Sequence, residues 1–426
     1  MTISAWFTVA LAIPVLLLGE VLVKRIGVLS RFNIPAPVVG GLLLSLLVLL
    51  GNVTGLFAAK FQTSVAAQWW TWIVTTELEW VNAPSKSVNL PFLVAFFTCI
   101  GLNASWMLVK RGSLQVLLFL ALAGVLAVVQ NGLGVALAKL MGVSPLLGLM
   151  CGSVSMTGGH GTALGFAGDL ERAGLQGASV IGVAAATFGL VAGGLLGGPV
   201  GGALIRRRNL KPVSTADTRL ESGQTAEPGI LPDLGALAGF GRQFLLHLAL
   251  LLVCVKVGAW VSYLIQQTNI TFPVYMGAMI LGVAVRNVVD LSGGRWIKTE
   301  IIDRLASVTL GIFLAIAMMS LNLIELANTA VPMLVILAVQ VTVIGFFAWF
   351  VTFRLMGRDF DAAVMAGGHC GFGLGATPNA VANMKALVER YGPAPRAFLV
   401  VPIVGAFLID FVNAMNITFF LNLVKP

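Results

Sequence analysis

Long apolar runs alternate with short polar stretches along the whole chain. This pattern predicts ten membrane-spanning helices, at 5–23, 33–50, 90–109, 114–138, 176–204, 243–265, 271–289, 305–324, 330–353 and 397–424. Two further charge-free runs, Leu140–Gly168 and Ala362–Met384, are dense in glycine and polar residues: TGGHGT at Thr157–Thr162 and GGHCGFGLGATPN at Gly367–Asn379. Such composition predicts unwound helix. A peptide group released in hydrocarbon costs several kcal/mol, so broken backbone survives there only where it lines a cavity or binds something. A pair of interrupted segments, one in each half, points to the binding site of a secondary transporter.

The expected fold is therefore an all-α polytopic membrane protein. Its ten helices fall into two inverted five-helix repeats, each with a glycine-rich re-entrant segment, at about 143–168 and 361–386. A polar stretch at 206–242 reads as a mobile cytoplasmic linker between a repeat at 1–205 and one at 243–426. With an odd number of spans per half, the second half enters the membrane from the opposite side. Traces of the repeat are legible. IPAPVVGGL (Ile34–Leu42) resembles FPVYMGAMI (Phe272–Ile280), FFTCIGLN (Phe96–Asn103) resembles IAMMSLN (Ile316–Asn322), and GGHGT falls over GLGAT when Met141–Ala163 is laid on Met356–Pro378.

Composition agrees: 58% of residues are hydrophobic and 10% charged, where a soluble domain carries about 25% charged residues. No basic stretch precedes the first apolar run, which argues against a cleaved signal peptide. The net charge of +9 would suit nucleic acid, but its placement is topological. Most basic residues, among them Lys24, Arg25, Lys110, Arg111, Arg206, Arg207, Arg208, Arg219, Arg286, Arg295, Arg304, Arg354, Arg358 and Arg396, fall on one side. That side is then cytoplasmic and both termini are external. Cys99, Cys151, Cys254 and Cys370 sit in apolar segments and read as small buried hydrophobes. The outer loop Gly51–Asn89, with Trp69, Trp70, Trp72 and Trp80 beside Glu77 and Glu79, reads as an interfacial helix.

Helix N-termini supply N–H donors and a positive dipole end for carboxylates, and exposed carbonyls, hydroxyls and amides supply oxygen ligands for a hard cation. Candidates are Thr157 and Thr162 around the first segment and Thr377, Asn379 and Asn383 after the second, with Thr377 expected as N-cap before Pro378. Close packing through small residues is the competing use of these glycines. Of three histidines, His160 and His369 lie in these segments, as solute contacts or as partners of broken backbone; His247 reads as an ordinary interfacial residue. Asp410 is the one acid deep in a span and shares a face with Asn413; it reads as a cation ligand, a proton acceptor or half of a structural pair. Lys256 reads as an interfacial lysine. Asn103, Gln130, Asn131, Asn322 and Gln340 are mid-span amides that serve a site or join helices.

GGHGT with ATFGLVAGGLLGGPV (Ala186–Val200), and AGGHCGFGLGATPNAVANM (Ala366–Met384) with FLVVPIVGAFLIDFVNA (Phe398–Ala414), resemble the bacterial sodium/glutamate symporter family, and the resemblance runs through nearly the whole chain. It implies a sodium-coupled importer of L-glutamate in the inner membrane, a homodimer, with segments that enter from opposite sides and meet. It also implies a scaffold portion for dimerisation and a transport portion that moves elevator-like. On this reading Thr157, Gly158, Gly159, His160, Gly161, Thr162, Gly371, Phe372, Gly373, Gly375, Ala376 and Thr377 form the solute site, and Asp410, Asn413 and Asn379 bind sodium; no cofactor is expected. Carriers of malate, citrate or another dicarboxylate would use the same architecture. An ion channel would show unsaturable flux. No H-E-x-x-H, G-x-S-x-G or nucleotide-binding loop is present, which speaks against an intramembrane enzyme and ATP-driven transport.

Overall fold

The computed structural model describes residues 2–56, 59–82, 84–107, 113–212, 230–268, 272–294, 296–321 and 329–425. Lys110, Arg111, Arg219, Arg295, Asn322 and the middle of the expected linker lie outside them. Among the described residues the fold is helical apart from two short strand pairs, Thr2–Ile3 with Lys60–Phe61 and Ser64–Val65 with Lys86–Ser87. The principal helices are α1 (Ala5–Arg25), α2 (Ala36–Thr54), α3 (Leu90–Asn103), α4 (Ser113–Leu140), α5 (Gly159–Arg172), α6 (Ala178–Arg208), α7 (Arg242–Gln266), α8 (Val274–Leu291), α9 (Thr299–Met319), α10 (Ala330–Phe346), α11 (Phe360–Gly373), α12 (Thr377–Tyr391) and α13 (Ile409–Val424).

Among the described residues, eight helices are long and apolar enough to cross a membrane: α1, α2, α4, α6 to α9, and α10 with its continuation to Leu355. The spans expected at 90–109 and 397–424 fall outside that set. The first is the fourteen-residue α3. The second is interrupted: Pro395–Ile403 passes through a π-helical turn at Val404–Leu408 before α13. Part of the expected linker is also structured. Arg206–Arg208 end α6, and Ile230–Gly239 is a helix whose fully buried Asp233 pairs with Arg304 at 2.9 Å.

The chain divides into two compact units, and each draws on both halves of the sequence. The first comprises Met1–Ser105 and Glu227–Glu325. Here α2 packs on α1 and α9, α8 packs on α7 and α3, α1 meets α9, α7 meets α3, and α3 meets α9. Exchanging the first three helices for the last three leaves these principal pairings unchanged, although a slight contact of α7 with α9 has, among the described residues, no counterpart at that level between α1 and α3. Local chemistry repeats too: α2 and α8 begin after Pro35 and Pro273, held at φ −59°, ψ 136° and φ −58°, ψ 141°. A proline fixes its own φ near this value and cannot donate an N–H, so it suits a helix start.

Absent side chains allow these helices to touch. A Cβ on Gly101 would lie 2.1 Å from the Met279 carbonyl oxygen, and one on Gly19 would lie 1.9 Å from that of Ala36. Without a hydrophobic effect between helices in lipid, such close backbone packing is a main source of association.

The tryptophan-rich loop is tied to α7. Lys256, on α7, donates to the carbonyls of Trp72 (2.8 Å) and Thr75 (2.9 Å), pairs with Glu77 at 3.3 Å, and lies 4.4 Å from the centre of the Trp72 ring. The Glu77 carboxyl is held below its usual range by its own backbone N–H and then by Lys256. Lys256 is therefore no free interfacial cation: it anchors a loop in which Thr71, Val74, Thr75 and Thr76 are buried. The loop forms two short helices, Gln68–Thr71 and Glu77–Asn82, in place of one interfacial helix.

Two outcomes follow from this packing. Gly101→Ala should cost about 1–3 kcal/mol through overpacking, whereas Gly27→Ala, with no atom within 4 Å, should be neutral or stabilising; melting of the detergent-solubilised variants measures both. Lys256→Met should leave the Trp72 and Thr75 carbonyls without donors and raise amide exchange across Gln68–Asn82, while exchange in α4 stays unchanged.

Candidate functional site

Both interruptions lie in the second unit, Trp106–Ala226 with Leu326–Pro426. After the short helix Pro145–Leu149, a π-helical turn at Met150–Val154 contains Gly152 at φ −87°, ψ −140°, outside helical space. Ser155–Gly158 form turns, and α5 starts at Gly159 with φ 61°. In the second segment α11 runs unbroken to Gly373. The chain opens over Leu374–Ala376, with Ala376 extended at φ −161°, ψ 159°, and α12 begins at Thr377.

The first break thus lies mostly ahead of TGGHGT, whereas the second, Leu374–Ala376, falls inside Gly367–Asn379 and ends at the helix restart expected around Pro378. Gly159–Thr162 and Gly367–Gly373, including Gly371 and Phe372, are helical. Their glycines serve contact instead: a Cβ on Gly371 would lie 2.6 Å from the Ala380 backbone, and one on Gly367 2.8 Å from the Gly197 carbonyl. The N-cap expected at Thr377 is Ala376, and the Thr377 hydroxyl donates to the Gly405 carbonyl at 2.5 Å.

One side chain joins the two breaks. Gln130, fully buried on α4, donates through Nε2 to the Gly373 carbonyl (2.7 Å) and accepts at Oε1 from the Thr157 hydroxyl (2.6 Å). Its own carbonyl accepts from Gln340 Nε2 at 2.7 Å. The breaks also touch directly, because a Cβ on Gly159 would meet the Gly375 carbonyl oxygen at 2.9 Å.

Next to Gln130, Asn131 accepts at Oδ1 from the Ser153 N–H (2.8 Å), a group freed by the distortion at Gly152. Asn413 donates to the Ser153 carbonyl (3.0 Å), and Asn416 lies 3.5 Å from the Ser153 hydroxyl. Asn131 Nδ2, Asn413 Oδ1 and Gln340 Oε1 are buried and have no hydrogen-bond partner among the described residues. Each is a polar atom whose desolvation is uncompensated by the protein alone.

The remaining candidates divide by role. His160 donates through Nε2 to the Thr187 hydroxyl (2.9 Å), whose own proton goes to the Val183 carbonyl (2.8 Å). His369 is fully buried, with Nδ1 2.8 Å from the Thr352 hydroxyl and its ring among Phe119, Phe347 and Phe372. Asn379 and Asn383 donate to the carbonyls of Leu190 (2.8 Å) and Gly193 (2.9 Å), clamping α12 to α6. Asp410, half-buried at the start of α13, makes no hydrogen bond or ion pair among the described residues. Thr162 is buried and packs on Gly158.

Among the described residues no three His, Cys, Asp or Glu side chains gather as a metal cluster. The breaks present amide, hydroxyl and carbonyl oxygens, a donor type suited to a hard ion. Sequence reasoning had Gln130 only as one of several mid-span amides and missed Ser153 and Thr187. The available signal was the adjacent Gln130–Asn131 pair inside a 28-residue apolar helix.

The sodium/glutamate symporter family profile matches residues 1–76 and 70–393. The sodium/glutamate symporter of Haemophilus influenzae is 40% identical over 416 residues, covering 97% of this chain and 96% of its own. That of Escherichia coli K12 is 39% identical over 418 residues, covering 98% and 97%. Apolar spans, two broken helices joined by one buried amide, and full-length similarity agree: the chain belongs to the sodium/glutamate symporter family.

Proposed function

We propose that this protein imports L-glutamate across the bacterial inner membrane by sodium-coupled symport, with alternating access of the elevator type. The observation that carries this reading is the meeting of the two helix breaks at Gln130. Helices α5 and α12 start beside it, at Gly159 and Thr377. Positive helix ends stabilise anions, so the carboxylates of glutamate would be received by Thr157–Thr162 and Gly371–Thr377. Sodium would bind at Asp410, Asn413 and Asn379, where Asn413 Oδ1 is a buried acceptor without a protein donor among the described residues.

The pairing symmetry of the first unit supports inverted repeats, and the gathering of both breaks in the second supports that unit as the moving part. The first unit is then the scaffold of a homodimer, with both chain termini on the outer face. Relatives named sodium/glutamate symporters support the choice of solute and ion over other dicarboxylates.

Proteoliposomes carrying the purified protein should accumulate labelled L-glutamate only with an inward sodium gradient, and excess malate or citrate should leave uptake intact. Sodium-independent uptake, or preference for those acids, overturns the reading. Gln130→Leu should lower uptake about tenfold or more, since losing one partner of a buried hydrogen bond costs about 1–3 kcal/mol and 1.4 kcal/mol is tenfold. The variant should still reach the membrane, because the Gln340 bond goes to the Gln130 backbone.

A further inference from the structure

The ends of two spans in the second unit bring three arginines around one cavity. Arg208 is the last residue of α6, and Arg354 is the penultimate residue of the span that begins with α10. Arg358 follows after a sharp turn. With Phe353 these side chains line a cavity of about 380 Å³. Phe353 is 2% exposed and gives it an apolar floor, while the three guanidinium groups are at the surface.

Like charges repel, so three of them around one space need an explanation, and none comes from protein acids. Among the described residues no ion pair or hydrogen bond engages the guanidinium group of Arg208, Arg354 or Arg358. Arg354 lies only over the Phe350 ring, at 5.6 Å. The nearby acids are occupied: Asp359 pairs with Arg396, and Asp361 accepts from the Ala397 N–H at 3.1 Å. A charge bias that sets topology needs arginines on one side; it does not need them to converge.

The turn is unusual as well. Gly357 (φ 120°) and Arg358 (φ 58°) are consecutive left-handed residues, and the Arg358 N–H closes the turn onto the Phe353 carbonyl at 3.1 Å. A non-glycine residue in that region is uncommon, and here it returns the chain to the rim of the cavity.

We propose that Arg208, Arg354 and Arg358 form a binding site for a phosphate-bearing anion, either the headgroup of an acidic phospholipid or free phosphate. Guanidinium groups offer forked N–H donors that match phosphate oxygens. Basic pockets at span ends on the side marked by positive charge are suited to acidic headgroups. An apolar floor below a cationic rim fits a phosphodiester with its glycerol backbone.

The test uses the full chain in nanodiscs of phosphatidylcholine, titrated with short-chain phosphatidylglycerol and read by native mass spectrometry and by melting temperature. Wild type should bind phosphatidylglycerol and melt higher in its presence. The triple variant Arg208→Gln/Arg354→Gln/Arg358→Gln should bind about tenfold more weakly or not at all, and Arg358→Lys should retain part of the affinity. Inorganic phosphate supplies the second arm: competition by phosphate alone identifies the free anion, and failure to compete identifies the lipid headgroup. Equal binding by the triple variant, or equal binding of phosphatidylcholine and phosphatidylglycerol, overturns the proposal. Should the triple variant not fold, Arg358→Gln alone, checked for an unchanged melting temperature without anion, carries the same comparison. Glutamate uptake is a separate readout, so its failure would not bear on this site.

Discussion

A helix interrupted in apolar surroundings must find new partners for the peptide groups it releases, and in this protein two adjacent amides on α4 supply them, Gln130 for the Gly373 carbonyl and Asn131 for the Ser153 N–H. Gln130 accepts from Thr157 and donates to the Gly373 carbonyl, and Gln340 holds its backbone in turn. An amide is suited to this because it offers a donor and an acceptor a few ångströms apart. Asn131, the next residue, receives the Ser153 N–H from the same distorted turn. Rotating α4 away from this position would strand groups in both segments at once. The two breaks are therefore coupled through a third helix.

Glycine plays a second part, distinct from unwinding. Gly134 and Gly148 face each other so closely that a Cβ on either would lie 2.2 or 2.0 Å from the other's carbonyl oxygen. On α6, Gly189 lies against the Leu374 carbonyl and Gly197 against the Asn383 amide. These contacts bring α6 near enough for Asn379 and Asn383 to reach its backbone carbonyls. Polar clamps and close approach thus depend on each other. A larger residue on α6 would lengthen hydrogen bonds that hold the start of α12.

Much of this organisation was legible in the sequence, for identifiable reasons. Spans were readable because apolar length is itself the requirement for crossing lipid. That the chain breaks twice, once in each half, was readable from glycine density, as was the helix restart at Thr377–Pro378, but the shift of the first break to Gly152–Gly158 was not. Gly367–Gly373 remain helical because their neighbours satisfy the helix and use the missing side chains for packing, a choice that depends on residues far away in sequence. Thr377 was expected to cap its own helix, yet Gly405 offers its hydroxyl a carbonyl 28 positions on. His369 reads from sequence like a site residue and sits in an aromatic enclosure that only the fold assembles. Asp233 fell in a stretch without apolar periodicity, and its partner Arg304 is 71 positions away. In each case the deciding contact was non-local.

The charge arithmetic at the breaks bears on why transport would be coupled to a cation at all. No lysine or arginine occurs between Leu140 and Gly168 or between Ala362 and Met384. Under the proposed function, a solute with two carboxylates and one ammonium brings a net negative charge into a site whose fixed positive elements are helix ends. A helix N-terminus is equivalent to about half an elementary charge, and its effect falls off beyond the first turn. Two such ends would roughly balance the solute's net charge but not the desolvation of its separate ionic groups. Asp410, when ionised, adds a further negative charge. A sodium ion beside it would restore the balance and leave with the solute. A resident arginine could do the first but not the second, and would hold the anion when the site must release it. Substituting an exchangeable cation for a fixed one makes each ligand's affinity depend on the other, and by reciprocity that dependence is the coupling itself.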